Sequence, residues 1–132
     1  MSNKNGKRHS GLSLGNIKAT FSWPVIVEIP QGINEKGEAY FHEHKIVGKF
    51  NLLPQDKIDV LNDRAEDQTE FSFIYDEVVA GWDEVFSDDD KSVALEFNDE
   101  TKHQLKQTPY IMTGFVTAYF RSQGGKKAQI KN

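Results

Sequence analysis

The hydrophobic period of this chain changes near Pro54, and that change points to a fold in which a strand pair comes first and a mainly helical part follows. Upstream, "TFSWPVIVEIP" alternates, placing Phe21, Trp23, Val25, Val27 and Ile29 on one face and Thr20, Ser22, Pro24, Ile26 and Glu28 on the other. A period of two is that of a half-buried strand. Pro24 has no N–H to give to a ladder, so the strand belongs at a sheet edge or is bulged there. "QGINEKGEA" then reads as a turn, and "YFHEHKIVGKFNLL" as a second strand joined to the first in a hairpin. Tyr40, His42, His44, Ile46, Gly48, Phe50 and Leu52 share one of its faces, a less cleanly amphipathic set than in the first strand.

Downstream the period is three to four. "PQDKIDVLNDR" opens on a first-turn proline and sets Ile58 and Leu61 three apart, a short helix. "DQTEFSFIYDEVVAGWDEVF" carries Phe71, Ile74, Tyr75, Val78, Trp82 and Val85 at helical steps, which predicts one continuous helix with Trp82 near its end and Gly81 as a point of close approach. After the acidic stretch, "SVALEF" reads as a short strand. Asn98 caps a helix over "NDETKHQLKQ", with acids in its first turn where the helix dipole favours them. Thr108 and Pro109 open a last helix with Ile111, Phe115, Ala118 and Tyr119 on its stripe. The fold class expected is therefore α+β: an N-terminal antiparallel β-hairpin packed against a C-terminal group of about four helices. One domain spans residues 20–122, between a flexible basic N-terminal segment (1–19) and a flexible basic C-terminal tail (123–132).

Charge follows the same division. All 20 acids, but only half of the 16 basic residues, fall between residues 21 and 120. An acidic body repels a phosphate backbone, which argues against a nucleic-acid partner. Cysteine is absent, so no disulfide framework holds the chain. No apolar run approaches the ~20 residues of a membrane span, and the basic start lacks a signal-peptide core. The chain reads as soluble and unexported.

Two stretches invite a reading as chemistry. "GWDEVFSDDD" with Asn98 to Glu100 is rich in acids, but a calcium loop starting at Asp88 would put Val93 where glycine is needed and Asp99 where a bidentate Glu is needed. Adjacent acids in an exposed turn also lack the pocket that separates catalytic pKa values. His42 and His44 lie side by side on one strand face, the arrangement a metal would use. Two ligands do not close a zinc site; His9 lies in the N-terminal segment and His103 on a distant helix. No nucleophile elbow or phosphate-binding glycine loop is present, and no catalytic residue, metal or cofactor is assigned.

Taken in order, "FSWPVIVEIP", "FNLLPQDKIDVL", "VVAGWDEVFSDDDKSVALEFNDETKHQLKQTPYIMTGFVTAYF" and the closing "KN" resemble the tail assembly chaperones of long-tailed bacteriophages and prophages. The resemblance covers about residues 20–122. It implies a protein that binds the tape measure protein, keeps its hydrophobic helices soluble and helps recruit the major tail (tube) protein. Such a protein works in the host bacterial cytoplasm and is absent from the mature virion. Many members are also made as a longer form by a programmed ribosomal frameshift at a site encoding Gly-Lys, which Gly125 and Lys126 match. A homo-oligomer is a further expected partner state. Candidates for protein contact are Phe73, Trp82, Phe86, Tyr110, Phe115, Tyr119 and Phe120; Phe73 and Phe120 fall off the main stripes. The rival readings are a structural minor tail or tail terminator protein of the virion, and a small metal-binding enzyme using His42 and His44.

Overall fold

A computed structural model describes residues 11–17 and 19–124. It is an α+β fold with a three-stranded antiparallel sheet and four helices. Strand β1 is Thr20–Ile33 and β2 is Ala39–Asn51. Helices α1 (Gln55–Arg64) and α2 (Phe71–Val78) follow. Next come β3 (Val79–Asp83), α3 (Asp99–Lys106) and α4 (Pro109–Gln123). Strand order is β1-β2-β3, so β1 is an edge strand, as Pro24 requires.

The β1–β2 turn is built on Asn34, whose Oδ1 accepts the backbone N–H groups of Lys36 and Glu38, both at 2.9 Å. Gly37 supplies the positive φ of 80° that closes it. From Thr20 the two strands run in register to the Pro30↔Phe41 pair, where the ladder shifts by one residue. Pro24 lies opposite Val47 and Pro30 opposite Phe41. Neither proline can donate, so both pairs are non-bonded and both ring nitrogens face away from β2.

The third strand overturns one expectation. The stripe from Phe71 to Val85 is not one helix: α2 ends at Val78 and the next residue begins β3. The β-branched pair Val78-Val79 favours extended backbone, Gly81 disfavours a continued helix, and the open edge of β2 provides a ladder. Trp82 pairs with Gly48 and Val79 with Phe50, with a register shift between Lys49 and Phe50. Simple alternation would send Val79 and Trp82 to opposite faces; the bulge turns both inward, where both are buried. The four-residue step from Val78 to Trp82 thus mimics a helical stripe. Gly81 faces Lys49 rather than a helix.

The core lies between the inner sheet face and α2 and α4. Val25, Phe50, Ile74, Tyr75, Val78, Phe115, Val116 and Tyr119 are fully buried. Phe50 contacts Phe21, Phe115 and Tyr119 at centroid distances of 5.7, 6.1 and 5.7 Å. Each such side chain removed from water contributes roughly 1.5–3 kcal/mol. Helix α4 crosses β1 at Gly114, where an added Cβ would stand 2.8 Å from the Ile26 carbonyl oxygen. Helix α3 begins as expected, with Asn98 and Thr101 forming a reciprocal capping box. It is tied to α2 by Lys106 Nζ donating to Asp76 at 2.9 Å and by Lys102 Nζ donating to the Asp76 carbonyl at 3.0 Å. Thr108 caps α4 through its backbone only, its carbonyl accepting from Ile111 and Met112.

Candidate protein-binding cleft

Strand β3 pairs only with Val47 to Phe50, whereas β1 and β2 are 14 and 13 residues long. The remainder of the hairpin projects as a two-stranded arm. On its inner face the rows Val25, Val27, Ile29 and Ile46, His44, His42 lie opposite one another in pairs. Exposure rises along the arm: Val25 is buried, Ile29 half-buried, and His42 and His44 exposed. The core ends under the arm while the strands continue.

Between the arm and the rest of the domain lies an open cleft of about 470 Å³. Val27, Ile29 and Ile46 line it from the arm, Leu105 and Ile111 from the helices, and Val85 and Phe86 from the loop that follows β3. Its polar lining comprises the acids Glu43, Glu84, Asp88 and Asp89, the lysines Lys45 and Lys91, and His42 and His44. An apolar floor with charged walls suits a polypeptide better than a small polar substrate.

The loop forming the far wall is held by specific bonds. Glu84, at φ 68°, turns the chain away from the sheet as β3 ends. Asp88 accepts the backbone N–H of Val93 at 2.9 Å and of Ser92 at 3.1 Å, and the Ser92 hydroxyl at 2.5 Å. The Ser92 hydroxyl, then the Val93 amide, hold the Asp88 carboxyl below its ordinary pKa. Lys91 closes the turn with φ 55°. "SVALEF" forms no strand; a single bridge, Phe86↔Ala94, joins the two limbs. Trp82 holds the returning limb, its indole N–H donating to the Leu95 carbonyl at 2.8 Å and its ring meeting Phe97 edge-on at 4.9 Å. The acids of "SDDD" therefore divide, Asp88 organising the turn while Asp89 and Asp90 are exposed.

His42 and His44 do stand side by side, ring centroids 4.4 Å apart, on the cleft side of the arm. Among the described residues no group of three or more His, Asp or Glu is placed to hold a metal ion. Two buried phenols are shifted upward: Tyr75 by burial and then by the charge of Asp76, Tyr119 by burial. Neither lines the cleft.

The seven aromatic candidates do not form one exposed surface. Phe115 and Tyr119 are fully buried and Trp82 nearly so, which removes them as contact residues: the stripe of α4 faces the sheet, and the bulge turns Trp82 into the core. Phe120 is half-buried edge-on against Tyr119, at 5.8 Å. Phe73 is exposed beneath the Arg64 guanidinium, 4.0 Å from the ring centroid, and lines a separate hollow with Leu53 and Val60. Tyr110 is exposed. Phe86 alone of the seven lines the cleft. Gly125, Lys126 and His9 lie outside the described residues. Ile29 reads from sequence only as a core-face residue of β1, and Glu43 and Lys45 carry no sequence signal of their own. Their signal was His42 and His44 occupying core-face positions of β2, which marks where that face leaves the core. Comparison of the chain with protein-family models, with curated proteins and with solved structures finds no match.

Proposed function

We propose that this protein is a tail assembly chaperone of a long-tailed phage or prophage, binding the tape measure protein and helping to recruit tail-tube subunits. The observation that carries the reading is the open cleft beneath the hairpin arm, floored by Val27, Ile29, Ile46, Leu105 and Ile111 and walled by acids. A holding chaperone needs apolar surface that a client covers and then leaves. The ordered series of motifs between residues 20 and 122 supports the same reading. The role requires no catalytic residue, metal or cofactor, and it places the protein in the host cytoplasm during assembly.

The test is co-expression with a tape measure protein from the same genome. The tape measure protein should move from the insoluble to the soluble fraction and co-purify with this chain. Equal solubility without this chain refutes the reading. Abundant protein in purified particles would favour a structural tail component instead.

A further inference from the structure

We propose that the cleft receives its partner as an added β-strand: an extended segment of another protein, alternating apolar with lysine or arginine residues, pairs antiparallel with the free edge of β2 at Phe41, Glu43 and Lys45. This rests on the reading of the cleft as a protein-binding surface and specifies how it binds.

Which backbone groups are free follows from the prolines. Pro24↔Val47 and Pro30↔Phe41 are non-bonded pairs, so the odd-numbered residues of this stretch of β2 direct their N–H and C=O away from β1. Val47 and Lys49 direct theirs to β3, facing Asp83 and Gly81. Lys45, Glu43 and Phe41 continue that row, but β3 has ended and Glu84 has turned the chain away. Among the described residues, no backbone hydrogen bond outside the helices and the sheet involves any of the three. Glu43 and Lys45 belong by parity to the outer face, yet both line the cleft. Their strand edge borders it.

The composition of the occupant follows from the lining. A strand laid on this edge sets its inward side chains beside His42, His44 and Ile46 of β2 and across from Val85 and Phe86 of the loop, whose apolar groups select apolar residues. Glu43, Glu84, Asp88 and Asp89 outnumber Lys45 and Lys91, which selects a cation at the intervening positions. The same charges disfavour a second copy: antiparallel self-pairing centred on Glu43 sets Glu43 against its own image, with Glu28 already opposite it across the hairpin.

The experiment uses the full chain and a capped peptide of about nine residues alternating valine with lysine, sized to span the free edge at roughly 3.4 Å per residue. It should bind, and its binding should slow hydrogen exchange at the Phe41, Glu43 and Lys45 amides. A leucine-lysine peptide of helical spacing and a valine-glutamate peptide should bind at least about tenfold more weakly. Lys45→Pro removes one outward N–H while leaving the β1 ladder intact. It should weaken binding about tenfold or more with circular dichroism unchanged, whereas Lys45→Ala should bind at least as well as wild type. N-methylation of alternate peptide amides should abolish binding to the unaltered protein, which tests the same bonds without altering the fold. Unchanged binding by Lys45→Pro and by the methylated peptide, equal binding of the helical peptide, or a dimer of this chain abolished by Lys45→Pro would each overturn the proposal. If wild type and Lys45→Pro solubilise the tape measure protein equally, strand addition is refuted and the chaperone reading stands. If neither does so but the peptide still binds, the chaperone reading fails and strand addition stands.

Discussion

Removing one oxygen atom from Tyr75 and one from Tyr119 should change stability in opposite directions. Both rings are fully buried. The Tyr75 hydroxyl donates to the Lys102 carbonyl at 2.9 Å, joining α2 to α3, while the Tyr119 hydroxyl has no partner among the described residues. Tyr75→Phe loses a net hydrogen bond, about 0.5–1.5 kcal/mol. Tyr119→Phe removes a polar group buried without compensation, a desolvation cost of about 1–3 kcal/mol, less a small loss of packing where the oxygen stood. The two variants should therefore differ by roughly 2 kcal/mol, with Tyr119→Phe at or above wild type. Urea unfolding monitored by circular dichroism resolves this, since a slope of about 1–3 kcal/mol per molar separates the midpoints by roughly 0.7–2 M. Equal slopes are required for the comparison. If Tyr119→Phe is destabilised as much as Tyr75→Phe, the hydroxyl is hydrogen-bonded and the reasoning fails.

The raised pKa of both phenols fixes the alkaline limit: their contribution is complete below the unfolded value near 10, and stability falls as pH rises beyond it, by up to about 1.4 kcal/mol per pH unit per group. Thermal melts of wild type and the double Phe variant between pH 9 and 12 should show the decline flattened in the variant; parallel curves would refute the assignment. Gly114→Ala should cost about 1–3 kcal/mol because the new Cβ meets a backbone carbonyl at 2.8 Å, whereas Gly81→Ala meets only the flexible Lys49 side chain at 3.3 Å and should be tolerated. Thermal midpoints of the pair decide it, and equal losses would show that α4 can shift off β1. Asp88→Ala should speed hydrogen exchange at the Ser92 and Val93 amides with little change in the global midpoint. Because the Asp88 pKa is lowered, wild type should loosen in the same way as pH falls through the folded value, and stay ordered above the unfolded one. Exchange unchanged by the mutation would mean that Trp82 and Phe97 hold the loop alone.

The strands of the hairpin were legible because alternation from Phe21 to Ile29 and the proline at 24 admit few other structures. The helix starts at Asn98 and at Thr108-Pro109 were legible because their chemistry is local. What failed was non-local. Whether "VVAGW" continues a helix or starts a strand depends on an open β2 edge at Gly48 to Phe50, far earlier in the chain, and periodicity cannot see the bulge that turns both Val79 and Trp82 inward. The same limit governs the cleft. Counting aromatics favoured α4, whose rings instead fill the core, while the exposed arm was marked only by histidines on a core-facing row. Asp88 looked like one acid among several because its role depends on where the backbone of Ser92 and Val93 returns to it.

The two prolines of β1 determine how far such a sheet could ever grow. A strand added at the β2 edge brings a fresh edge of its own, but on the opposite side Pro24 and Pro30 interrupt the donor row and α4 presses on the strand at Ile26. Filaments built by stacking like units need a compatible edge at each end. With the β1 side closed in this way, copies of this chain cannot stack sheet edge to sheet edge without end.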